Sequence, residues 1–196
     1  MRKDQDYFNE LMTSLNSSVI SDILDDYGFR NQTLDPAIRP LQRTMKAVGR
    51  AYPVLAVDIF ETPVHPYDGL IDSLDAISQG DIYIVSLPSG RAAAWGELVS
   101  NAAIARGGRG AIVNGNIRDT EKIEALGFPV FSSGYVPRDS KGRNLIVQHR
   151  VPIEISGVLI QPNDLIFGDF DGIVVIPQAL EEEVIAKALD KISSEN

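Results

Sequence analysis

The sequence predicts a β-rich α/β protein folded as one domain, a sandwich or partial barrel rather than a regular doubly wound sheet. Three observations lead there. Strand-like runs come in clusters with few helices between them, and several are joined by hairpin-sized links. The chain has 196 residues, 44% of them hydrophobic, which suits one buried core. No internal repeat, low-complexity tract or linker interrupts it.

Taken in order, Tyr7 to Tyr27 reads as helical, broken around Asn16-Ser17-Ser18. Ser17 or Ser18 is the expected cap of a second helix, residues 19–27, which Gly28 ends. Ser17 and Asp22 are read as cap and solvated face rather than as site residues. Residues 30–46 hold Pro36 and Pro40 without a firm period and read as a loop. Residues 46–57 are β-like, with Gly49 as a bulge. Residues 69–77 form a short helix ending near Gly80, residues 81–86 a buried strand, and residues 87–90 a turn.

The central stretch, residues 94–119, organises the rest. A helix is expected over Glu97 to Arg106, with Leu98, Ala102 and Ala105 on one face and Gly107-Gly108 as its stop. Ala111-Ile112-Val113 reads as a short strand and Asn114-Gly115-Asn116 as a turn. Beyond it come helical turns at 120–126 closed by Gly127, a strand at 128–133 and a polar loop at 138–142. A hairpin follows, 151–155 with 158–160 around Ser156-Gly157. Residues 163–177 read as two strands around a turn at Asp169 to Gly172, and 180–192 as an acidic amphipathic helix begun by Glu181-Glu182-Glu183.

Composition narrows the function. A net charge of −9 argues against a nucleic-acid surface, which needs a basic stripe, but is compatible with an acidic protein that docks on a basic partner. With no cysteine there is neither a disulfide nor a thiolate zinc site. The first residues lack an apolar signal core and no apolar run reaches membrane-spanning length, so a soluble cytoplasmic protein is expected.

One constellation carries chemistry. The amides opening the helix at Gly96, Glu97, Leu98 and Val99 make an anion-accepting end, and Arg118-Asp119 leaves the next strand beside it. Mg²⁺ takes few protein oxygens and keeps several waters, so Asp119 and a chelating acid together suffice to hold it. Arg118 offers a planar fork of donors to a carboxylate or a developing enolate oxygen. The plainer reading is a local Arg118–Asp119 salt bridge at a turn, with Glu97 favourable to the helix dipole. Other candidates are weaker. Gly107-Gly108-Arg109-Gly110 lacks the context of a phosphate loop and reads as helix-stop chemistry. His65 and His149 have no ligand spacing, and the Asp169/Asp171 turn lacks the further ligands of a calcium loop.

These residues resemble the RraA-like family (regulator of ribonuclease activity A), which includes the 4-hydroxy-4-methyl-2-oxoglutarate aldolases. The resemblance runs from residues 17–22 to Pro177. It rests on Val48-Gly49-Arg50-Ala51, Gly80-Asp81-Ile82, Trp95-Gly96-Glu97-Leu98, Arg106-Gly107, Asn114 to Asp119 and Gly168 to Pro177. The aldolases' pattern is an acidic residue, twenty residues, then Arg-Asp, matched here by Glu97, residues 98–117 and Arg118-Asp119. Glu97 stands where the characterised aldolases carry Asp, and Asn114 where Asp is usual.

The resemblance implies a compact β/β/α sandwich with a central β-barrel-like core, assembled as homotrimers or homohexamers with sites between subunits. It further implies that the Gly96–Val99 amides line a pyruvate moiety, that Arg118 binds substrate and that Asp119 binds Mg²⁺ or Mn²⁺. The implied reaction is metal-dependent release of pyruvate from a 4-hydroxy-2-oxo acid, with water near Glu97 moving the proton and oxaloacetate decarboxylation as a companion activity. The alternative it implies is a regulatory protein that binds and inhibits a ribonuclease. A methyltransferase label also used in this family finds no Gly-rich nucleotide motif here.

Overall fold

The computed structural model describes residues 2–195. The elements are α1 (Arg2–Ser14), α2 (Ser17–Asp26), β1 (Arg39–Pro40), β2 (Ala47–Asp58), α3 (Asp68–Asp75), β3 (Asp81–Ser86), β4 (Ala93–Trp95), α4 (Glu97–Ala105), β5 (Gly110–Ile117), α5 (Thr120–Leu126), β6 (Val130–Tyr135), β7 (Asn144–His149), β8 (Ile153–Ile155), β9 (Val158–Ile160), β10 (Leu165–Gly168), β11 (Ile173–Ile176) and α6 (Glu181–Glu195). One curled sheet runs β1-β6-β5-β3-β2-β10-β11, with β4 added on β5 and β7 on β2. Its centre, β2-β3-β5-β6, is parallel, while β1, β7, β10 and β11 pair antiparallel. The β8–β9 hairpin stands apart.

The central strands read as unbroken apolar runs because both faces are covered. In β3, Ile82 and Ile84 point into a core shared with Ile112, Phe131 and the β8–β9 hairpin. Tyr83 and Val85 point the other way, into a core with Trp95, Ala103 and Ile123. A third cluster joins α1, α2 and α6 to β10 and β11 through Phe8, Leu11, Ile20, Phe167 and Val184. Arg50 and Glu181 form an ion pair in which Tyr7 Oη also donates to Glu181, at 3.1 Å, so Glu181 does more than favour a helix dipole.

Several expectations need correction. Asn114-Gly115-Asn116 is not a turn. It continues β5, held by β3 as far as Asn114 and by β4 from Asn116, with a register shift against β6 between Val113 and Asn116. Gly115 is needed there because a Cβ would lie 2.7 Å from the Leu87 carbonyl oxygen. Gly49 is not a bulge: the irregularity of β2 falls at Leu55/Ala56, and Gly49 leaves room for the Gly80 carbonyl. Strands β1, β4 and β7 had too few residues or too mixed a pattern to be recognised. The cap of α2 is Asn16, whose side chain accepts from Val19 N at 2.9 Å. Leu98 and Ala105 lie on the exposed side of α4, which buries Ser100 and Ala103 instead.

Candidate active site

Strand β4 runs parallel to the end of β5, with Trp95 opposite Ile117. That pairing sets the start of α4 beside Arg118-Asp119, and Arg118 N donates to the Trp95 carbonyl at 3.0 Å. The helix start is itself held: Trp95 Nε1 donates to Ser100 Oγ (2.8 Å), which donates to the Gly96 carbonyl (2.9 Å). Asp119 takes a left-handed conformation, φ 57°, which short polar residues tolerate. This turns its carboxylate onto the amide of Glu97, 3.4 Å away, at the positive end of α4. Gly96 has extended backbone, and its lack of a side chain is what allows the approach: a Cβ would stand 2.9 Å from Asp119 Oδ2 and 3.3 Å from Arg118 Cγ.

Arg118 lies between two carboxylates. Its Nε is 3.7 Å from Asp119 Oδ2 and its Nη2 is 3.1 Å from Asp139 Oδ1. Tyr67 Oη donates to the other Asp139 oxygen at 2.8 Å. Partial burial works to raise the Asp139 pKa, but the Tyr67 hydrogen bond, the Arg118 charge and the Lys141 and Ser140 amides outweigh it and hold the carboxyl below its ordinary range. The Tyr67 hydroxyl is pushed up, first by that same hydrogen bond and then by burial.

These groups border a cavity of about 390 Å³ between α3, the start of α4 and the loop before β7. Gly96, Leu98, Val99, Arg118 and Asp119 all line it, five of the six residues expected from sequence. Glu97 is the exception: its carboxylate turns to Lys122 Nζ (3.2 Å) and Asn101 Nδ2 (3.3 Å). Asn114 stays within the sheet and donates to Ser86 Oγ at 2.9 Å. Tyr67, Asp139 and Ser140, also lining residues, were missed. They sit in a loop and just before a helix, and no sequence pattern announces that Asp139 will meet Arg118.

The other candidates resolve as structural. Arg109 donates to Val48 O (2.6 Å), Gln5 Oε1 (2.8 Å) and Asn9 Oδ1 (2.9 Å), so the Gly-rich turn presents no open cradle. Asp169 accepts from Ser17 N (2.8 Å), Ser17 Oγ (2.7 Å) and Asp171 N (2.9 Å), which ties the turn to α2. Asp22 pairs with Lys191 at 2.8 Å. His149 stacks on Tyr52, and neither histidine lines the cavity.

Among the described residues no group of three or more His, Asp or Glu is arranged as a protein cage for a metal. The half-exposed carboxylate of Asp119 instead fits a hard cation that keeps its waters and shares a chelating ligand. Among the same residues no helix is long and apolar enough to cross a membrane.

Residues 17–175 match the protein-family profile described as RraA-like, Aldolase/RraA. A protein of Halalkalibacterium halodurans named "Putative 4-hydroxy-4-methyl-2-oxoglutarate aldolase" is 35% identical over 188 residues, 95% of this chain and 83% of that protein. The protein DlpA of Legionella pneumophila is 30% identical over 180 residues, 91% of this chain. The chain spans only 29% of DlpA and 46–57% of several other curated relatives. A crystal structure of Streptomyces coelicolor RraAS2, described as an unusual member of the RNase ES inhibitor RraA protein family, superposes with a TM-score of 0.83 at 28% identity, over 95% of this chain and 93% of that one.

Proposed function

The chain belongs to the RraA-like family, and from that premise we propose that it is a divalent-metal-dependent carbon–carbon lyase that releases pyruvate from a 4-hydroxy-2-oxo acid. Decarboxylation of oxaloacetate, which passes through the same enolate, is its companion reaction. The observation that carries this reading is the convergence of Arg118 and Asp119 with Gly96, Leu98 and Val99 at the start of α4 on one cavity.

In this reading Asp119 holds the cation, which supplies Lewis-acid polarisation of the substrate carbonyl when bound. Arg118 pairs with the substrate's charged oxygens and stabilises the enolate oxygen as the C3–C4 bond breaks. The helix-start amides orient the acid group, and Asp139, bridged to Tyr67, keeps the guanidinium from swinging away. Water accepts the C4 hydroxyl proton and later protonates C3 of the enolate. Glu97 is proposed to manage that water, which requires its pairing with Lys122 to open. No lysine Schiff base is needed.

The test is pyruvate release from oxaloacetate and from 4-hydroxy-4-methyl-2-oxoglutarate, with Mg²⁺ or Mn²⁺ and with chelator, on wild type and Asp119→Ala. Release that needs metal and disappears in the variant is expected. Release that survives both chelator and the substitution would remove the mechanism.

A second reading has its own support. The net charge of −9 and the likeness to a member of a ribonuclease-inhibitor family suit a regulator that docks on a basic segment of an RNA-degrading enzyme. Inhibition of such a nuclease that weakens as salt rises would support it. Cytoplasmic location and trimeric or hexameric assembly are part of the proposal, tested by fractionation and by mass in solution.

A further inference from the structure

Arg118 meets two carboxylates at unequal distances. One edge of its planar fork, Nε and Nη2, is turned toward both acids. Nη2 reaches Asp139 Oδ1 at 3.1 Å, whereas Nε stays 3.7 Å from Asp119 Oδ2. Such an edge is well made to grip a single carboxylate through two parallel hydrogen bonds. Here it is divided, and Asp119 receives the weaker half.

The surroundings of the two acids keep it divided. Tyr67 Oη and the Lys141 amide both donate to Asp139 Oδ2, at 2.8 and 3.4 Å, which leaves Oδ1 for Arg118. Asp119 is directed from its own backbone, at φ 57°, and by the Glu97 amide 3.4 Å from its Oδ2. Among the described residues no hydrogen bond or ion pair reaches Asp119 Oδ1.

From this we infer that Asp139 is a positioning residue for the cation site: by holding Arg118 through Nη2 it keeps the guanidinium from closing on Asp119, and so leaves that carboxylate free for a divalent cation. The inference rests on the reading of Asp119 as the cation's ligand. Without Asp139, the Nε–Nη2 edge is free to grip both oxygens of Asp119. Guanidinium and cation then compete for one carboxylate. If the closed pair holds about nine molecules in ten, apparent affinity for the cation falls by about 10-fold, because it scales with the fraction of competent sites. Asp139 itself touches no cation and acts through Arg118.

Removing the Asp139 charge also weakens the local field for any cation, whatever Arg118 does. A double-mutant cycle separates the two effects. Mn²⁺ is titrated into the full chain without substrate, and the free ion is followed by its electron paramagnetic resonance signal. Wild type, Asp139→Asn, Arg118→Ala and the double variant are compared. Asp139→Asn is expected to weaken Mn²⁺ binding by about 10-fold more when Arg118 is present than beside Arg118→Ala.

Equal losses in the two backgrounds would leave only the field and overturn the inference. Tighter Mn²⁺ binding by Asp139→Asn overturns it as well. Asp119→Ala, titrated in parallel, keeps the two readings apart. Should that variant lose Mn²⁺ binding while the cycle is additive, the role of Asp139 falls and the cation site stands. Wild-type Mn²⁺ affinity in Asp119→Ala would place the cation elsewhere and take the proposed mechanism down with the inference.

Discussion

Arg118, at the end of β5, meets Asp139, in the loop between β6 and β7, at 3.1 Å, and Tyr67 holds the far oxygen of the same carboxylate at 2.8 Å. Three segments distant in sequence are thereby tied together around one guanidinium. The contact explains why a surface-facing arginine can have a defined direction, and it makes Arg118 the natural first position to alter.

Arg118→Ala should lower kcat/KM for pyruvate release by about 100- to 1,000-fold, the scale for removing one donor to a developing oxyanion. Its ion pairs are partly exposed and of little weight in stability, so the thermal midpoint should barely move. Wild-type turnover in a folded Arg118→Ala protein would end the proposed mechanism.

Gly96→Ala places a methyl group 2.9 Å from Asp119 Oδ2. The backbone conformation is open to alanine, so the damage should be local: the carboxylate moves, and affinity for Mn²⁺ falls by roughly 10- to 100-fold, as for lost support around a ligand. Isothermal titration with Mn²⁺ checks it, and an unchanged affinity would place the cation elsewhere.

Glu97→Gln separates two roles. If the side chain manages the proton, kcat should fall by about 100-fold or more while KM changes little. If it serves only the Lys122 and Asn101 contacts seen in the fold, steady-state constants should match wild type.

Asp139→Asn should show a pH-dependent cost. The carboxyl is held below its ordinary range in the folded protein, so its stabilisation is full above the unfolded value of about 3.9 and fades as pH falls through the folded one. Urea midpoints of variant and wild type should thus differ at neutral pH and converge below about pH 4. A gap that stays constant into strong acid would contradict the account.

Asp169→Ala tests the opposite class of residue. Three hydrogen bonds, two of them to Ser17, lose their acceptor in a buried place. A loss of about 2–4 kcal/mol in unfolding free energy is expected, with kcat/KM of the remaining folded protein unchanged. Lost activity in a fully folded variant would return the turn to the list of site candidates.

Much of this was legible along the chain because it depends on near neighbours. Gly107 and Gly127 stop helices α4 and α5 with positive φ, as their spacing suggested, and the 169–172 turn joins two strands. The Asn-Gly-Asn segment misled because a local turn preference yields when strands on both sides supply hydrogen bonds. The face of α4 misled for a related reason. Ala105 and Leu98 are apolar enough to suggest burial, but the sheet chose Ser100 and Ala103, since the Ser100 hydroxyl was needed by Trp95 and Gly96.

By itself the sequence determined the β-rich α/β character and marked Gly96–Val99 and Arg118-Asp119 as candidates, because helix stops and strand periods are short-range facts and the Glu97-to-Arg118 spacing is one the family resemblance picks out. Only the tertiary structure decided what surrounds those pieces. Segments far apart in sequence, around Tyr67, Arg118 and Asp139, meet beside the β4–β5 pairing, so the α3 side chains lining the cavity, the Asp139–Tyr67 clasp on Arg118 and the turn of Glu97 toward Lys122 follow from packing. The partners of a side chain across a sheet are set by which backbones pair, and no local pattern encodes that pairing.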